Sequence, residues 1–176
     1  MSENNFVGYE YQDIAVKRSM VSVYADGYEN FGWKLDKTEE LSDKPMTDSV
    51  RMKFKRDRKI RNKVELTRLQ RNFDACVSEI LSLEASKSNK AAIAAFSVGI
   101  VGTAFMAGSV FAVTSGLVIP CILLAIPAFI GWILPYFLFQ KIKKGKTAAV
   151  TPEIDKKYDE LYAVCQKANG LLDGVE

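Results

Sequence analysis

Histidine is absent from this 176-residue chain, and cysteine occurs only at Cys76, Cys121 and Cys165, with no CxxC pair. Metal centres are built from clustered Cys, His and carboxylates, and three scattered thiols do not make one. Catalysis draws mostly on His, an activated Cys, paired carboxylates or a phosphate-cradling glycine loop. The chain has neither the first nor the last, and Glu10, Asp13, Asp26 and Glu29 read as ordinary surface acids. The expectation is a protein that is not an enzyme and uses no cofactor or metal.

Charge is missing from one long region. No Asp, Glu, Lys or Arg lies between Lys90 and Lys141, a gap of 50 residues that holds two apolar runs, Ala91 to Val113 and Leu117 to Phe139. Each has 23 residues, about 34 Å as a helix and enough to cross a hydrocarbon core of ~30 Å. The remaining residues are too few to cover a soluble core of that size. Only Thr114, Ser115 and Gly116 separate the runs, which predicts a tight transmembrane hairpin. Lys87 and Lys90 precede it, Lys141, Lys143, Lys144 and Lys146 follow it, and the turn carries no charge. The positive-inside rule then puts both termini in the cytoplasm of a two-span cell-membrane protein. The first thirty residues contain no apolar stretch of the kind a cleavable signal needs, so the first span is expected to direct its own insertion.

Within the first run Ala91, Ala95, Gly99, Thr103 and Ala107 recur at every fourth position, and Pro127, Gly131 and Pro135 make a narrow stripe in the second. Small residues let helices approach closely. These two stripes are expected to close the hairpin and to leave Ala104, Gly108 and Ala112 free for a second copy, giving a homo-oligomer. Pro127 and Pro135 predict kinks. Trp132 and Tyr136 are expected at the membrane–water interface.

Apolar residues also recur at heptad spacing on both flanks. Leu66, Leu69, Phe73, Cys76, Ile80 and Leu83 precede the hairpin, and Ile154, Tyr158, Leu161, Cys165, Ala168 and Leu172 follow it. The spacing predicts an antiparallel helical stalk of coiled-coil type that continues the hairpin, with the cysteines serving as small hydrophobes in a reducing compartment. Gly145 and residues 147–152 are expected to interrupt the second arm, with Thr151 as N-cap and Pro152 in the first helical turn.

Residues 1–56 read as a small separate head of order strand, helix, strand, strand. Tyr9, Tyr11, Ile14 and Val16 suggest the first strand, Met20 to Phe31 a helix closed by Gly32, Trp33 and Leu35 the start of a second strand, and KTEELSDKPMTD a polar connection. Val50, Met52 and Phe54 alternate with Arg51, Lys53 and Lys55 in a third strand, with the basic set facing away from the helix. The stretch VRMKFKRDRKIRNK holds eight basic side chains against Asp57, while residues 1–50 carry five basic and ten acidic groups. The basic set therefore has acids to pair with in the head. Arg51, Lys53 and Lys55 are the candidate docking residues should an acidic cytoplasmic protein bind. Nucleic acid is disfavoured, since no stacking aromatics interleave with the basic residues along the helix.

The segments YEYQDIAVK and GYENFGWKL resemble a small β-α-β-β domain of bacterial proteins of unknown function, of the YEYK…GWEL type. KFKRDRKIRNKVELTRLQRNFDACVSEI, GIVGTAFMAGSVFAVT and CILLAIPAFIGWILPYF resemble a group of uncharacterised bacterial two-span membrane proteins over nearly the whole chain. The resemblance implies a fold and no activity. The expected architecture is a mainly α membrane protein with a small α+β head (1–56), a stalk helix (57–90), two transmembrane helices (91–113 and 117–139) joined by a turn (114–116), a basic linker (140–151) and a C-terminal amphipathic helix (152–176). The expected function is a membrane-anchored, self-associating interaction or scaffold protein in contact with membrane lipids. The alternative is a small homo-oligomeric pore or transporter subunit, against which stands the lack of any ionisable residue in the spans.

Overall fold

The computed structural model describes residues 7–40 and 48–174. Among the described residues three strands and three α-helices follow one another, with a 3-10 turn (Arg18–Met20) after the first strand: β1 (Tyr9–Lys17), α1 (Val21–Glu29), β2 (Lys34–Glu40), β3 (Ser49–Asp57), α2 (Lys63–Thr114) and α3 (Val118–Asp173). The chain is mainly helical, with a small antiparallel sheet near its start and two long apolar helices packed against each other.

The sheet has the order β1-β3-β2, with β3 antiparallel to both neighbours. β3 takes the centre because Val50, Met52 and Phe54 alternate strictly and are all buried. β2 is an edge strand, almost wholly exposed, with an irregularity between Leu35 and Lys37. It extends to Glu40, so the first four residues of the expected polar connection are strand; residues 41–47 lie outside the described part. α1 stops where Gly32, at φ 80°, accepts the left-handed conformation: Trp33 N–H bonds to Tyr28 O at 3.1 Å and Gly32 N–H to Glu29 O at 2.9 Å. The same closure ends α2 at Gly116 (φ 76°), with Leu117 N–H on Ala112 O and Gly116 N–H on Val113 O.

The long helices depart from the expected segmentation. β3 continues to Asp57, which pairs with Tyr9, so α2 begins at Lys63 rather than at residue 57 and then runs unbroken to Thr114. No Gly or Pro stands between Lys63 and Val98 to divide a stalk from a span. α3 is likewise continuous through Pro127, Pro135 and Pro152. The interruption expected over residues 147–152 does not occur. Thr151 is not an N-cap: its Oγ1 donates to Thr147 O at 2.7 Å, as Thr147 Oγ1 donates to Lys143 O at 2.9 Å, the back-bonding of hydroxyls inside a helix. Pro152 forfeits a single backbone bond, while Val150 and Ile154 on either side stay buried and hold the helix in register.

The chain divides into two compact units, one of residues 79–157 and one of the chain up to Ser78 together with α3 from Tyr158 on. The head is therefore not self-contained over residues 1–56. Its core is completed by the first turns of α2 and the last turns of α3: Phe73 of α2 lies 5.6 Å from the Phe31 ring and 6.0 Å from the Tyr28 ring, and Tyr28 lies 4.7 Å from Phe54. Gly27 of α1 makes room for Phe73, since a Cβ there would overlap the ring. A single short helix on three strands buries too little to be stable by itself, and Leu66, Leu69, Val77, Leu161, Cys165 and Ala168 supply the rest. Along α2 the buried face runs through Leu66, Leu69, Gln70, Phe73, Val77 and Ile80, with Val77 taking the place expected of Cys76.

In the other unit α2 and α3 pack as a pair, and Lys157 bonds Glu79 at 2.7 Å. Most of the large apolar side chains on this pair point outward, including Ile93, Phe96, Phe111, Leu123, Trp132 and Phe137.

Candidate functional site

The outer face of the sheet carries the candidate docking residues. Arg51, Lys53 and Lys55 project from it because their neighbours Val50, Met52 and Phe54 face the core. Lys53 Nζ lies 3.2 Å from Glu39 Oε1, and Lys55 Nζ 2.5 Å from Asp36 Oδ1. Lys37 also reaches Glu39, at 2.9 Å. Hydrogen bonds from Lys37 and Lys53 hold the Glu39 carboxyl below its usual range, and the bond to Asp36 raises Lys55. Two of the three candidates are thus already matched by acids of β2, and Arg51 lies opposite Ala15 and Glu39. On β1 the alternation is opposite to the expectation that grouped Tyr9 and Tyr11 with Ile14 and Val16. Glu10, Gln12, Ile14 and Val16 turn inward, whereas Tyr9 and Tyr11 stand on the outer face, Tyr11 beside Lys55 and 67% exposed.

The inward turn of β1 creates a polar network that sequence reasoning missed. Arg56, 4% exposed, donates to Glu10 Oε1 at 2.6 Å and to Phe31 O at 3.3 Å, and its guanidinium sits 4.3 Å over the Trp33 ring. Lys63 Nζ reaches the other oxygen of Glu10 at 2.5 Å. Trp33 Nε1 donates to Gln70 Oε1 at 2.8 Å, and Gln70 Nε2 to Gln12 Oε1 at 3.1 Å. Burial pushes the Glu10 pKa up, but the bonds from Lys63 and Arg56 outweigh it and leave it below its ordinary value. The signal for Arg56 was present, since it occupies the next inward position after Val50, Met52 and Phe54.

A second polar pair joins α1 to α2. Tyr28 OH donates to Asp74 Oδ1 at 3.1 Å. Burial raises Asp74 to about 6, against the opposing pull of the Tyr28 bond, and raises Tyr24 to about 12 with help from the Asp74 charge. Nearby, Ser22, Val23, Asp26, Asn30, Leu161 and Cys165 line a cleft of about 240 Å³. Burial, then the neighbouring Cys76, raises the Cys165 thiol to about 11, so it stays protonated near neutrality and is a poor nucleophile. No cluster of metal-ligating side chains occurs among the described residues.

On the apolar helices the predicted ridge does not close the pair. Ala91 is buried and Ala95 partly so, but Thr103 and Ala107 are exposed, and a Cβ added at Gly99 would meet nothing within 4 Å. A strict four-residue ridge turns by about 40° at each step around a helix of 3.6 residues per turn, and so leaves the contact it starts in. The closing face instead runs through Ala91, Val98, Gly102 and Ser109, with Gly102 against Gly131 backbone to backbone. Ser109 Oγ donates to Cys121 O at 2.9 Å, a hydrogen bond between the helices near the turn. Pro127 and Pro135 are half-buried flanks of this contact. Gly108, expected on a free second face, turns toward Leu124. The ridge from Ala95 to Ala107 lines an open groove of about 860 Å³ with Phe96, Trp132 and Pro135.

No protein-family model matches this sequence, and no curated protein or solved structure is significantly similar to it.

Proposed function

We propose that the chain is a two-span membrane anchor carrying an interaction domain, in which the α2–α3 hairpin lies in the bilayer and the flanking segments lie on its cytoplasmic side. One observation carries this reading: only 11% of the most apolar stretch of each long helix is buried, so two uncharged helical segments present large apolar side chains to the surroundings. A soluble helix pair would have to cover that face, whereas lipid is a suitable solvent for it. The lysines flanking the two apolar runs, with an uncharged turn between, support the orientation.

The interaction role is supported by the outer face of the sheet, where exposed Tyr9 and Tyr11 border a ladder of paired Lys and acid groups. Tyrosine is enriched at protein interfaces, and a charge-balanced face suits a mixed polar partner better than a purely acidic one. Self-association belongs to the same proposal: Ala104 of the face expected to serve it is exposed, while Gly108 beside it turns toward Leu124.

Alkaline carbonate extraction and protease protection test the anchor. The protein is expected to stay in the carbonate-resistant membrane fraction, and a tag inserted at Ser115 to be cleaved from outside intact cells. Release by carbonate would overturn the anchor, and a protected Ser115 tag would reverse the orientation.

A further inference from the structure

We infer that the hairpin holds one anionic phospholipid, with its phosphate between Lys143 and Lys144 and an acyl chain in the open groove beside Gly99. The inference rests on the reading of the hairpin as membrane-spanning. The first observation is a cleft of about 690 Å³ on α3 lined by Tyr136, Phe139, Gln140, Lys143, Lys144 and Thr147. It begins where the apolar run ends, and so sits at head-group depth. Two ammonium groups, a phenol and an amide line it, a donor-rich set suited to a phosphodiester. Neither Lys143 nor Lys144 forms an ion pair among the described residues, unlike Lys53 and Lys55 of the sheet. No acid occurs between Glu84 and Glu153 to neutralise them. Lys143 Nζ lies 5.7 Å from the Phe139 ring centroid.

The second observation is alignment along α3. Trp132, Tyr136, Phe139 and Lys143 succeed one another at spacings of four, three and four, on one side of α3. Trp132 lines the apolar groove, and the other three line the cationic cleft. The groove is walled on α2 from Ala92 to Ala107, about 22 Å of helix at ~1.5 Å per residue. That length accommodates a chain crossing one leaflet, about half of the ~30 Å core. The short side chains at Gly99, Thr103 and Ala107 keep the groove deep, so a flexible chain fits without displacing the hairpin contact at Gly102. An apolar groove that ends at Pro135, next to a cationic cleft that starts at Tyr136, matches the tail and head of an anionic lipid. A free phosphate has no use for the groove, and a zwitterionic head group brings its own cation to the lysines.

The experiment uses the full chain in nanodiscs of mixed phosphatidylglycerol and phosphatidylcholine, released into mild detergent for native mass spectrometry. Wild type is expected to retain one phosphatidylglycerol per chain. Lys143→Gln with Lys144→Gln should lower the retained fraction on the order of tenfold, while Lys141→Gln with Lys146→Gln, which removes the same charge outside the cleft, should leave it nearly unchanged. Gly99→Phe should reduce retention by filling the groove, and added glycerol phosphate should not compete. Equal losses in the two lysine pairs would reduce the effect to general surface charge and overturn the site, as would retention without preference for the anionic lipid. A cysteine placed at Gly99 that crosslinks to a second copy would assign the groove to protein instead. Carbonate extraction of the same variants separates the two readings: inserted protein without lipid preference sinks the lipid site alone, and protein that fails to insert sinks the anchor.

Discussion

Gly102 and Gly131 meet backbone to backbone, so closely that a Cβ on Gly131 would stand 2.6 Å from the Gly102 Cα. Neither helix can carry a side chain at that point without moving away from its partner. Gly102→Leu or Gly131→Leu is therefore expected to destabilise the helix pair by about 1–3 kcal/mol, the usual cost of overpacking. Gly99→Leu, with nothing within 4 Å of its Cβ, should stay within about 0.5 kcal/mol of wild type. Thermal unfolding in detergent distinguishes the two, and equal losses would return the contact to the four-residue ridge.

Gly27 and Phe73 pose the same question in the other unit, where the ring occupies the space a Cβ would need. Phe73→Ala should cost about 3–5 kcal/mol, because the ring is fully buried among Tyr24, Tyr28 and Phe31. Gly27→Ala should destabilise the wild type but cost much less in the Phe73→Ala background. A denaturant titration of the four proteins gives the coupling directly, and additive effects would show that Gly27 is required for another reason.

Asp74, raised to about 6 by burial, holds its proton more tightly folded than unfolded. Its contribution to stability is fully present below the unfolded value near 4 and fades as pH rises through about 6. The total is at most on the order of 1–3 kcal/mol for a shift of this size in a partly exposed carboxyl. Asp74→Asn should therefore flatten the stability profile between pH 4 and 6 and make the protein more stable than wild type at pH 7. Glu10 acts in the opposite sense. Its lowered pKa contributes stability above the ordinary carboxylate value that is lost as pH falls through the folded one. Glu10→Gln should accordingly reduce acid sensitivity below pH 4.5 while lowering stability at neutrality. Melting temperatures across the pH range test both signs.

Lys53 and Lys55 are matched to Glu39 and Asp36 across neighbouring strands. Reversing Arg51, Lys53 and Lys55 to Glu should lower the melting temperature slightly, since like charges then face one another. Adding Glu39→Lys and Asp36→Lys should restore it. Recovery of partner proteins by pull-down should survive the charge reversal and fall with Tyr11→Ala. Loss of recovery on reversal alone would return docking to the basic face.

Local spacing by itself determined much of this protein. The uncharged stretch from 91 to 140, the alternation of Val50, Met52 and Phe54, and the helix stops at Gly32 and Gly116 each follow from a few neighbouring residues, because hydropathy and backbone conformation are short-range properties. The tertiary structure decided which faces meet. An i, i+4 stripe drifts around its helix, so repetition of small residues could not reveal that Gly102, rather than Gly99, touches Gly131. Tyr9 and Tyr11 were legible as strand residues but not as its outer side, since Glu10 and Gln12 turn inward only where Arg56, Lys63 and Gln70 wait to bond them. Thr151 and Pro152 spelled a helix start in isolation, yet the buried side chains of Val150 and Ile154 carry α3 through them. Phe73 looked like one member of a helical stripe and became a centre of the sheet domain's core, because three strands and one short helix could not bury enough apolar surface without it.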